Sequence, residues 1–133
     1  MRPYIIEFPK IADPRGNLTF LQTSSQIPFI VNRVFWTYDV PGGEVRGGHA
    51  YKKQEEIIIA LSGSFDVIVN VGGIQEKFSL NRSYYGLYIP PLTWRHMENF
   101  STNSLGLHVS SSVYEEDDYI RSIETFKSIV HEK

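Results

Sequence analysis

The residue types best suited to proton transfer lie in one short segment, residues 46–52, with the sequence Arg-Gly-Gly-His-Ala-Tyr-Lys. Two glycines allow a sharp backbone turn that a Cβ would obstruct. In a β-strand, His49 and Tyr51 would point to the same side, with Arg46 and Lys52 supplying positive charge nearby. Such a group can hold an anionic ligand and move a proton. The alternative for an isolated His-x-Tyr pair is an amphipathic strand with incidental polar residues.

The composition indicates one folded domain, residues 1–133, long enough to bury a core. Hydrophobic residues make up 41% and aromatic residues 14%, which argues against disorder. The net charge of −2 and the pI near 6.1 argue against a nucleic-acid partner, which would require a basic face. The absence of cysteine excludes disulfides and zinc-thiolate sites.

The sequence gives no sign of membrane insertion or export. The apolar stretch near the start is broken by Glu7 and Pro9, so it lacks the hydrophobic region of a signal peptide. No apolar run approaches the ~18 residues that a membrane helix needs. We therefore expect a cytoplasmic protein with no membrane partner.

Short β-forming runs alternate with turn signals along most of the chain. We predict strands at residues 4–8, 18–23, 31–40, 56–62, 65–71, 74–80, 84–89 and 105–110. Glycine and proline pairs such as Gly72-Gly73 separate them, and Pro90-Pro91 marks a loop. Together with residues 46–52 this makes about nine short strands, which predict an antiparallel β-sandwich or barrel.

The last part of the chain has a helical pattern instead. Apolar residues recur at spacings of three and four between residues 119 and 130, which predicts one amphipathic helix. Four acidic residues at 115–118 stand where a helix N-terminus favours negative charge. We therefore predict a helix over residues 115–130.

Two motifs then resemble the paired signature of the cupins, which are small jelly-roll barrels. The first is His49-x-Tyr51-x-x-x-Glu55-Glu56, and the second, over residues 86–99, contains His96, 47 residues after His49. In metal-binding cupins such motifs supply three histidines and a glutamate. A set of His49, Glu55 or Glu56, and His96 lacks one of those ligands, because Tyr51 stands at the position of a histidine. We therefore expect no metal.

A narrower resemblance covers nearly the whole chain. Residues 13–16, 46–50, 52–53, 61–64, 86–91, Trp94 and 114–121 are similar to the WxcM-like cupins, the TDP-4-keto-6-deoxyglucose 3,4-ketoisomerases. The resemblance implies an all-β cupin jelly-roll β-barrel with one C-terminal α-helix. It also implies a metal-free homodimer without cofactor, with N-terminal strands crossing between subunits. The implied substrate is a TDP-linked keto sugar, and an aminotransferase would convert the product to a 3-amino sugar for surface polysaccharide.

This chemistry moves a ketone from C4 to C3 through an enediol or enediolate. It needs a base with a pKa near the working pH, and His49 matches the family's catalytic histidine. The resemblance also implies a second histidine at position 51, where this chain has Tyr51. A phenol with a pKa of ~10 can donate a proton or a hydrogen bond but is a weak base. We therefore expect Tyr51 to assist catalytically while His49 carries both proton steps.

The diphosphate needs cations, and arginine suits it because its planar fork can bond two oxygens at once. Tyr51 and Arg95 are expected to shape the sugar pocket, and Trp36 or Tyr38 to hold thymine. His96 either faces the cavity or caps a strand end, and the role of His108 is open. The predicted substrate-binding residues are Arg15, Arg33, Arg46, Lys52, Arg95 and His96.

Two other functions stay open. One is a sugar-nucleotide 3,5-epimerase on a related barrel. That chemistry pairs a histidine with a tyrosine on the opposite side of the sugar, which Tyr51, on the same side as His49, fits poorly. The other is a non-catalytic cupin that binds a sugar nucleotide. Turnover of a keto sugar would exclude this last function.

The C4 configuration of the product depends on the face that is reprotonated. Family members that form the galacto product tend to carry arginine and histidine at the positions of Arg15 and Arg95, and gluco-forming members tyrosine and arginine. This chain has one residue from each pattern. We therefore predict loose control of the sugar's orientation, with both C4 epimers formed.

Overall fold

The computed structural model describes residues 1–131, which form two facing five-stranded sheets and a small separate hairpin. The strands are β1 Tyr4–Glu7, β2 Lys10–Ile11, β3 Leu18–Thr19, β4 Arg33–Tyr38, β5 Arg46–Tyr51, β6 Glu56–Ser62, β7 Phe65–Val71, β8 Ile74–Leu80, β9 Tyr85–Ile89, β10 Trp94–Glu98, β11 Leu105–Ser110 and β12 Tyr119–Ile120. A 3₁₀ turn, Glu116–Asp118, precedes β12, and helix α1, Ile123–His131, follows it.

The strand order is β1-β9-β6-β11-β4 in one large sheet and β12-β5-β10-β7-β8 in the other. Every pairing in both sheets is antiparallel, as is that of the β2–β3 hairpin. This arrangement confirms the predicted all-β jelly roll. Within residues 1–131, α1 is the one α-helix, and it lies near the C-terminus as predicted. No helix within residues 1–131 has the length and apolar character that crossing a membrane requires.

The interior between the sheets is apolar on the side of β7, β8 and β9. Val67, Leu80 and Leu87 are fully buried there and pack with Ile58 and Met97. Strand β7 reaches this core because Phe65, Val67 and Val69 fall at every second position and so share the inner face, as predicted. Each such side chain contributes about 1.5–3 kcal/mol of transfer free energy by leaving water.

The side chains of the three consecutive isoleucines of β6 pack on both faces of its sheet. Ile58 points into the interior, whereas Ile57 and Ile59 point to the outer face of their sheet. There they are covered by the segment that precedes β4, through residues such as Phe8 and Phe29. This explains why the outer face of β6 carries isoleucines rather than polar residues at these two positions.

The predicted helix over 115–130 is wrong at its beginning. Residues 115–118 form a loop and a 3₁₀ turn, in which the Asp118 carboxylate accepts hydrogen bonds from the backbone N–H groups of Lys53 (2.8 Å) and Gln54 (3.1 Å). Helix α1 begins only at Ile123, after Ser122, whose Oγ accepts from the N–H of Thr125 at 3.2 Å as an N-cap. The acidic run therefore anchors a loop rather than a helix terminus.

Other element boundaries also differ from the prediction. The run over 18–23 is a strand only at Leu18–Thr19, and 31–40 is a strand only at Arg33–Tyr38. Strand β10, Trp94–Glu98, was not predicted, since its inward residues include an arginine and it follows Pro90-Pro91 closely. Residues 46–51 are indeed a strand, which places the sequence's most reactive segment in the second sheet.

Candidate active site

A cavity of about 300 Å³ opens between the sheets on the side away from the apolar core. Strands β4, β5, β6, β10, β11 and β12 all contribute to its wall. The lining residues are Phe35, Thr37, Arg46, Gly47, Gly48, His49, Tyr51, Glu56, Ile58, Arg95, Met97, His108, Tyr119 and Arg121.

A β-bulge in β5 presents His49 to this cavity. In the pairing of β10 with β5, Arg95 lies opposite His49 but Met97 lies opposite Arg46, so β5 has one extra residue between the two pairs. Gly47 sits in the bulge with a φ of 78°, a left-handed conformation that residues with a Cβ rarely adopt. Glycine at position 47 therefore allows the backbone to form the bulge, and the bulge sets the direction of the following residues of β5.

His49 combines burial with an unoccupied ring nitrogen. Its Nε2 atom is buried and has no hydrogen-bond partner among the described residues. Burial, and then the positive charge of Arg95, lower the pKa of His49 from 6.5 to about 3. The imidazole is therefore neutral near pH 7, with one nitrogen lone pair able to accept a proton.

Two tyrosines border the histidine, which confirms that His49 and Tyr51 share a face. The ring of His49 lies 4.7 Å from that of Tyr51 and 5.3 Å from that of Tyr119, between centroids. The buried Tyr51 hydroxyl donates a hydrogen bond to the Tyr119 hydroxyl at 3.3 Å. Burial raises the pKa of Tyr51, and the charge of Glu56 raises it further. Tyr51 is thus a neutral phenol at physiological pH.

The floor of the cavity is a buried ionic network. Arg95 donates from Nη1 to Glu56 Oε1 at 2.6 Å, and His108 Nδ1 lies 3.2 Å from Glu56 Oε2. The other nitrogen of His108, Nε2, lies 3.0 Å from Thr37 Oγ1. Burial alone would raise the pKa of Glu56, but the charges of His108 and Arg95 outweigh it and lower that pKa to about 2. The carboxylate is therefore ionised and holds both basic side chains in place.

Two further arginines lie at the cavity wall. Arg46 is exposed at the start of β5. Arg121 follows β12, pairs with Glu116 through two 2.9 Å hydrogen bonds, and lies over the ring of Tyr119 at 4.2 Å. Glu56 balances the charge of Arg95 and Glu116 balances that of Arg121, which leaves the guanidinium of Arg46 without a carboxylate partner among the described residues. The electrostatics of the site therefore favour an anionic ligand.

The structure brings together four of the residues predicted for the site, namely His49, Tyr51, Arg46 and Arg95, all of which line the cavity. Arg33 is not among the residues that line the cavity, but it contacts Phe35, which is. It stacks over Phe35 at 4.7 Å and donates from Nη2 to Gln54 Oε1 at 3.0 Å.

The other predicted residues lie elsewhere in the single chain. The Lys52 side chain is exposed beyond the end of β5. His96 is on the face of β10 opposite to Arg95, and its Nε2 lies 2.8 Å from Glu98 Oε1. Arg15 is exposed near the tip of the β2–β3 hairpin, where its Nε bonds Asp13 Oδ1 at 3.0 Å. None of these three is among the residues that line the cavity.

Sequence reasoning missed Tyr119, Arg121 and His108 as cavity residues. A signal existed for His108, as a histidine on a predicted strand, and for Tyr119 and Arg121, which lie in the family-like segment 114–121 but were given no role in the site. The candidate metal set does not converge either, because Glu55 accepts a hydrogen bond from Tyr88 at 2.6 Å and His96 faces outward. Within residues 1–131, no group of three or more histidine, aspartate or glutamate side chains is arranged to hold a metal ion.

Solved structures with the same architecture include sugar-nucleotide enzymes. The ketoisomerase QdtA from Thermoanaerobacterium thermosaccharolyticum, in complex with TDP, is 33% identical, with a TM-score of 0.96 over 98% of this chain and 96% of that chain. The TDP-quinovose 3,4-ketoisomerase WlaRB from Campylobacter jejuni is 39% identical, with a TM-score of 0.88 over 93% and 95%. The rmlC epimerase from Mycobacterium tuberculosis is 17% identical with a TM-score of 0.75, which shows a shared fold alone.

Sequence comparisons agree with the structural ones. A TDP-4-oxo-6-deoxy-alpha-D-glucose-3,4-oxoisomerase from Aneurinibacillus thermoaerophilus is 38% identical over 130 residues, which cover 98% of this chain and 94% of that protein. The family model described as "FdtA: WxcM-like, C-terminal" matches residues 1–131. The resemblance found from the motifs is thereby confirmed, and the chain belongs to the FdtA, WxcM-like C-terminal family.

Proposed function

We propose that this chain is a TDP-4-keto-6-deoxyglucose 3,4-ketoisomerase, an enzyme that moves the ketone of a TDP-4-keto-6-deoxyhexose from C4 to C3. The observation that carries the proposal is the neutral imidazole of His49, which lines a cavity together with three arginines and whose buried Nε2 has no hydrogen-bond partner among the described residues. Proton abstraction next to a ketone needs such a base. The activities named for the ketoisomerase relatives, over nearly the whole chain, support the same reaction.

His49 would handle the protons on carbon. Its Nε2 takes the C3 proton of the 4-keto sugar, the electrons form a C3–C4 double bond, and negative charge collects on the C4 oxygen. The imidazolium then returns a proton to C4 as the C3 ketone forms. A bound diphosphate and a developing enediolate are both anionic, so they raise the pKa of His49 from its low value in the free enzyme and strengthen it as a base.

Arg95 would stabilise the enediolate. Its Nη1 is held by Glu56, while Nη2 is buried without a hydrogen-bond partner among the described residues. A donor that is fixed in place before the reaction is the arrangement that stabilises an oxyanion best. Because Glu56 balances the charge of Arg95 in the free enzyme, the guanidinium stays in place before substrate arrives.

The nucleotide would lie along the exposed side of the cavity. Arg46 lines both the cavity and a neighbouring groove of about 420 Å³, whose walls include Trp36 and Tyr38. This continuity supports diphosphate binding at Arg46, with thymine on one of the two aromatic rings. Arg33 and Lys52 stay proposed as supporting cations nearby.

We further propose a homodimer in which the β2–β3 hairpin crosses to the partner subunit. The hairpin stands apart from both large sheets, and a two-stranded ribbon alone is marginally stable. Ile11 and Leu18 on the hairpin are each 55% exposed, as is Trp36 on the edge strand β4. A second copy that covers these apolar side chains would remove them from water and protect the edge of the sheet.

Such a crossing would bring Arg15 into the partner's cavity, where it could bind substrate. Mixing Arg15→Gln protein with His49→Asn protein tests this. Each mixed dimer would then hold one intact cavity, so the mixture should recover roughly a quarter of the wild-type rate after random exchange of subunits. No recovery, or a monomer by sedimentation at micromolar concentration, would contradict the crossed dimer.

The product is a 3-keto sugar nucleotide, which is chemically suited to transamination at C3. We therefore propose that the enzyme works before an aminotransferase, in the cytoplasm, in a pathway that supplies amino sugars for surface polysaccharide. It would need no metal or other cofactor, because hydrogen-bond donors can stabilise the enediolate.

Proton NMR in deuterated water tests the proposed function directly. The purified protein, treated with a chelator, should convert TDP-4-keto-6-deoxyglucose to the 3-keto isomer without deuterium entering C5. Deuterium at both C3 and C5 without isomerisation would instead indicate a 3,5-epimerase. Unchanged substrate that still binds the protein would indicate a non-catalytic binding function, and loss of activity in chelator, restored by one divalent ion, would contradict metal-free catalysis.

A further inference from the structure

Strand β12 places a second phenol beside the first. In its antiparallel pairing with β5, Tyr119 lies directly opposite Tyr51, so the two side chains share the face of the sheet that borders the cavity. Their hydroxyl groups are joined by the 3.3 Å hydrogen bond, and both rings border that of His49. Tyr51 is buried, whereas Tyr119 is partly exposed. The pair thus forms one side of the space in which the sugar would react.

The reaction requires more than the transfer of a proton between carbons. In the 4-keto sugar the C3 oxygen carries a hydrogen and the C4 oxygen does not, and in the 3-keto product the reverse holds. While His49 moves a proton from C3 to C4, a second proton must therefore leave the C3 oxygen and another must reach the C4 oxygen. The group that does this must donate and accept at the same time, and must end the cycle unchanged.

Other polar groups of the cavity are poorly suited to this task. Both ring nitrogens of His108 are already engaged, by Glu56 and by Thr37. The arginines have no lone pair to accept a proton, and the low pKa of Glu56 keeps its carboxylate ionised and bound to Arg95. A hydroxyl group both donates and accepts, and two linked hydroxyls can pass a proton along their hydrogen bond.

We propose that the Tyr51–Tyr119 pair is a proton relay between the C3 and C4 oxygens of the sugar, which rests on the ketoisomerase function proposed above. One hydroxyl donates its proton to the C4 oxygen, takes the proton of the other hydroxyl through their hydrogen bond, and the second hydroxyl takes the proton from the C3 oxygen. Three O–H bonds break and three form, and both phenols end neutral.

The environment of the pair favours a concerted transfer. Burial raises the pKa of Tyr51, so a phenolate that persisted there would be unfavourable. A shift of all the protons together avoids that charge. The Arg121 guanidinium lies over the ring of Tyr119 at 4.2 Å. Its positive charge stabilises the transition state of the transfer, in which that ring becomes more electron-rich. This assigns a function to β12, which sequence reasoning had taken for part of the helix.

The test uses Tyr119→Phe and Tyr51→Phe, with Tyr84→Phe as the control. Phenylalanine keeps each ring and removes only the hydroxyl, and Tyr84 is a half-buried tyrosine that is not among the residues lining the cavity. In deuterated water, NMR follows product formation and the exchange of the substrate's C3 hydrogen. Loss of the relay should lower product formation by ~10²-fold, the usual size of an acid–base contribution. Exchange at C3 should fall much less, since His49 is intact.

The ratio of exchange to product formation should therefore rise at least tenfold in both relay variants and stay at the wild-type value in Tyr84→Phe. Product formation within about threefold of wild type in Tyr119→Phe, or equal losses of exchange and product, would overturn the relay. Tyr51→His in the Tyr119→Phe background should restore turnover, because an imidazole alone holds both a donor and an acceptor nitrogen. Wild-type protein that fails to isomerise the sugar would instead refute the proposed function itself.

Discussion

The interior of the jelly roll has two halves of opposite chemistry, built on shared central strands. In one half, β7, β8 and β9 enclose a cluster of apolar side chains such as Val67 and Leu87. In the other, β4, β5 and β12 enclose the cavity. Strand β6 contributes Glu56 to the cavity and Ala60 to the apolar core. Strand β10 likewise contributes Arg95 to the ionic network and Met97 to the apolar core.

The apolar half mainly supplies stability, and the polar half supplies the chemistry. The apolar half gains free energy from burial, without desolvating charge. The polar half buries Arg95 and Glu56, whose mutual attraction mainly offsets the cost of removing both from water. Substitutions in the two halves should therefore have different signatures, with stability affected in one and catalysis or charge balance in the other.

The largest effect on stability should follow from breaking the buried ion pair. Arg95→Met leaves the Glu56 carboxylate buried without its guanidinium, and removal of one partner of such a pair typically costs about 3–5 kcal/mol. Urea unfolding at fixed protein concentration measures this. The double variant with Glu56→Leu should recover at least half of the loss, because no uncompensated carboxylate remains. A single variant as stable as wild type would show that the pair is not buried as described.

A truncation in the apolar half should separate stability from activity. Leu80→Ala removes a fully buried side chain from the core, and such changes cost about 2–5 kcal/mol. Below its unfolding temperature, the folded variant should keep kcat within a factor of two of wild type, since Leu80 is not among the residues that line the cavity. A tenfold loss of kcat in the folded variant would contradict the separation of the two halves.

The pH dependence should report the burial of His49. The base works unprotonated, and its pKa of about 3 in the free enzyme lies below the usual 6.5. Falling pH should therefore protonate it only well below the ordinary range, so kcat/KM should stay nearly constant between pH 8 and pH 5. A tenfold decrease per pH unit beginning near 6.5 would indicate that His49 titrates as an exposed histidine.

The smallest expected effect concerns the C4 configuration of the product. We predict both epimers, because the chain combines Arg15 with Arg95. The two arginines do not meet within one chain, and Arg95 is held by Glu56. Control of the sugar's orientation, and with it of the C4 configuration, would then depend on Arg15 of a partner subunit. NMR of the product after trapping by a 3-aminotransferase measures the ratio, and a single epimer above 95:5, a bias of ~1.7 kcal/mol, would contradict loose control.

Local patterns predicted much of this molecule. The alternation in β7, the Gly72-Gly73 hairpin and the shared face of His49 and Tyr51 all follow from the two-residue period of a strand. The family motifs added the jelly-roll architecture. These features depend on neighbours in sequence, or on motifs long enough to be specific.

The remaining site residues depend on pairings between distant segments. Tyr119 reaches the cavity because β12 pairs with β5, which lies 68 residues earlier in the chain, and the helical spacing of nearby apolar residues concealed that strand. His108 meets Glu56 because these residues lie close in the pairing of β11 with β6. Burial also lowers the pKa of His49, and no property of its sequence neighbours could indicate how deep it lies.

The most direct test of the central claim is the His49→Asn variant, assayed in deuterated water by NMR. Asparagine keeps a polar side chain but cannot accept a proton at neutral pH. C3 exchange and product formation should both fall by ~10²–10⁴-fold, while the unfolding transition shows that the variant is still folded. Turnover near the wild-type rate in the folded variant would contradict His49 as the base and, with it, the assignment of the polar half as the active site.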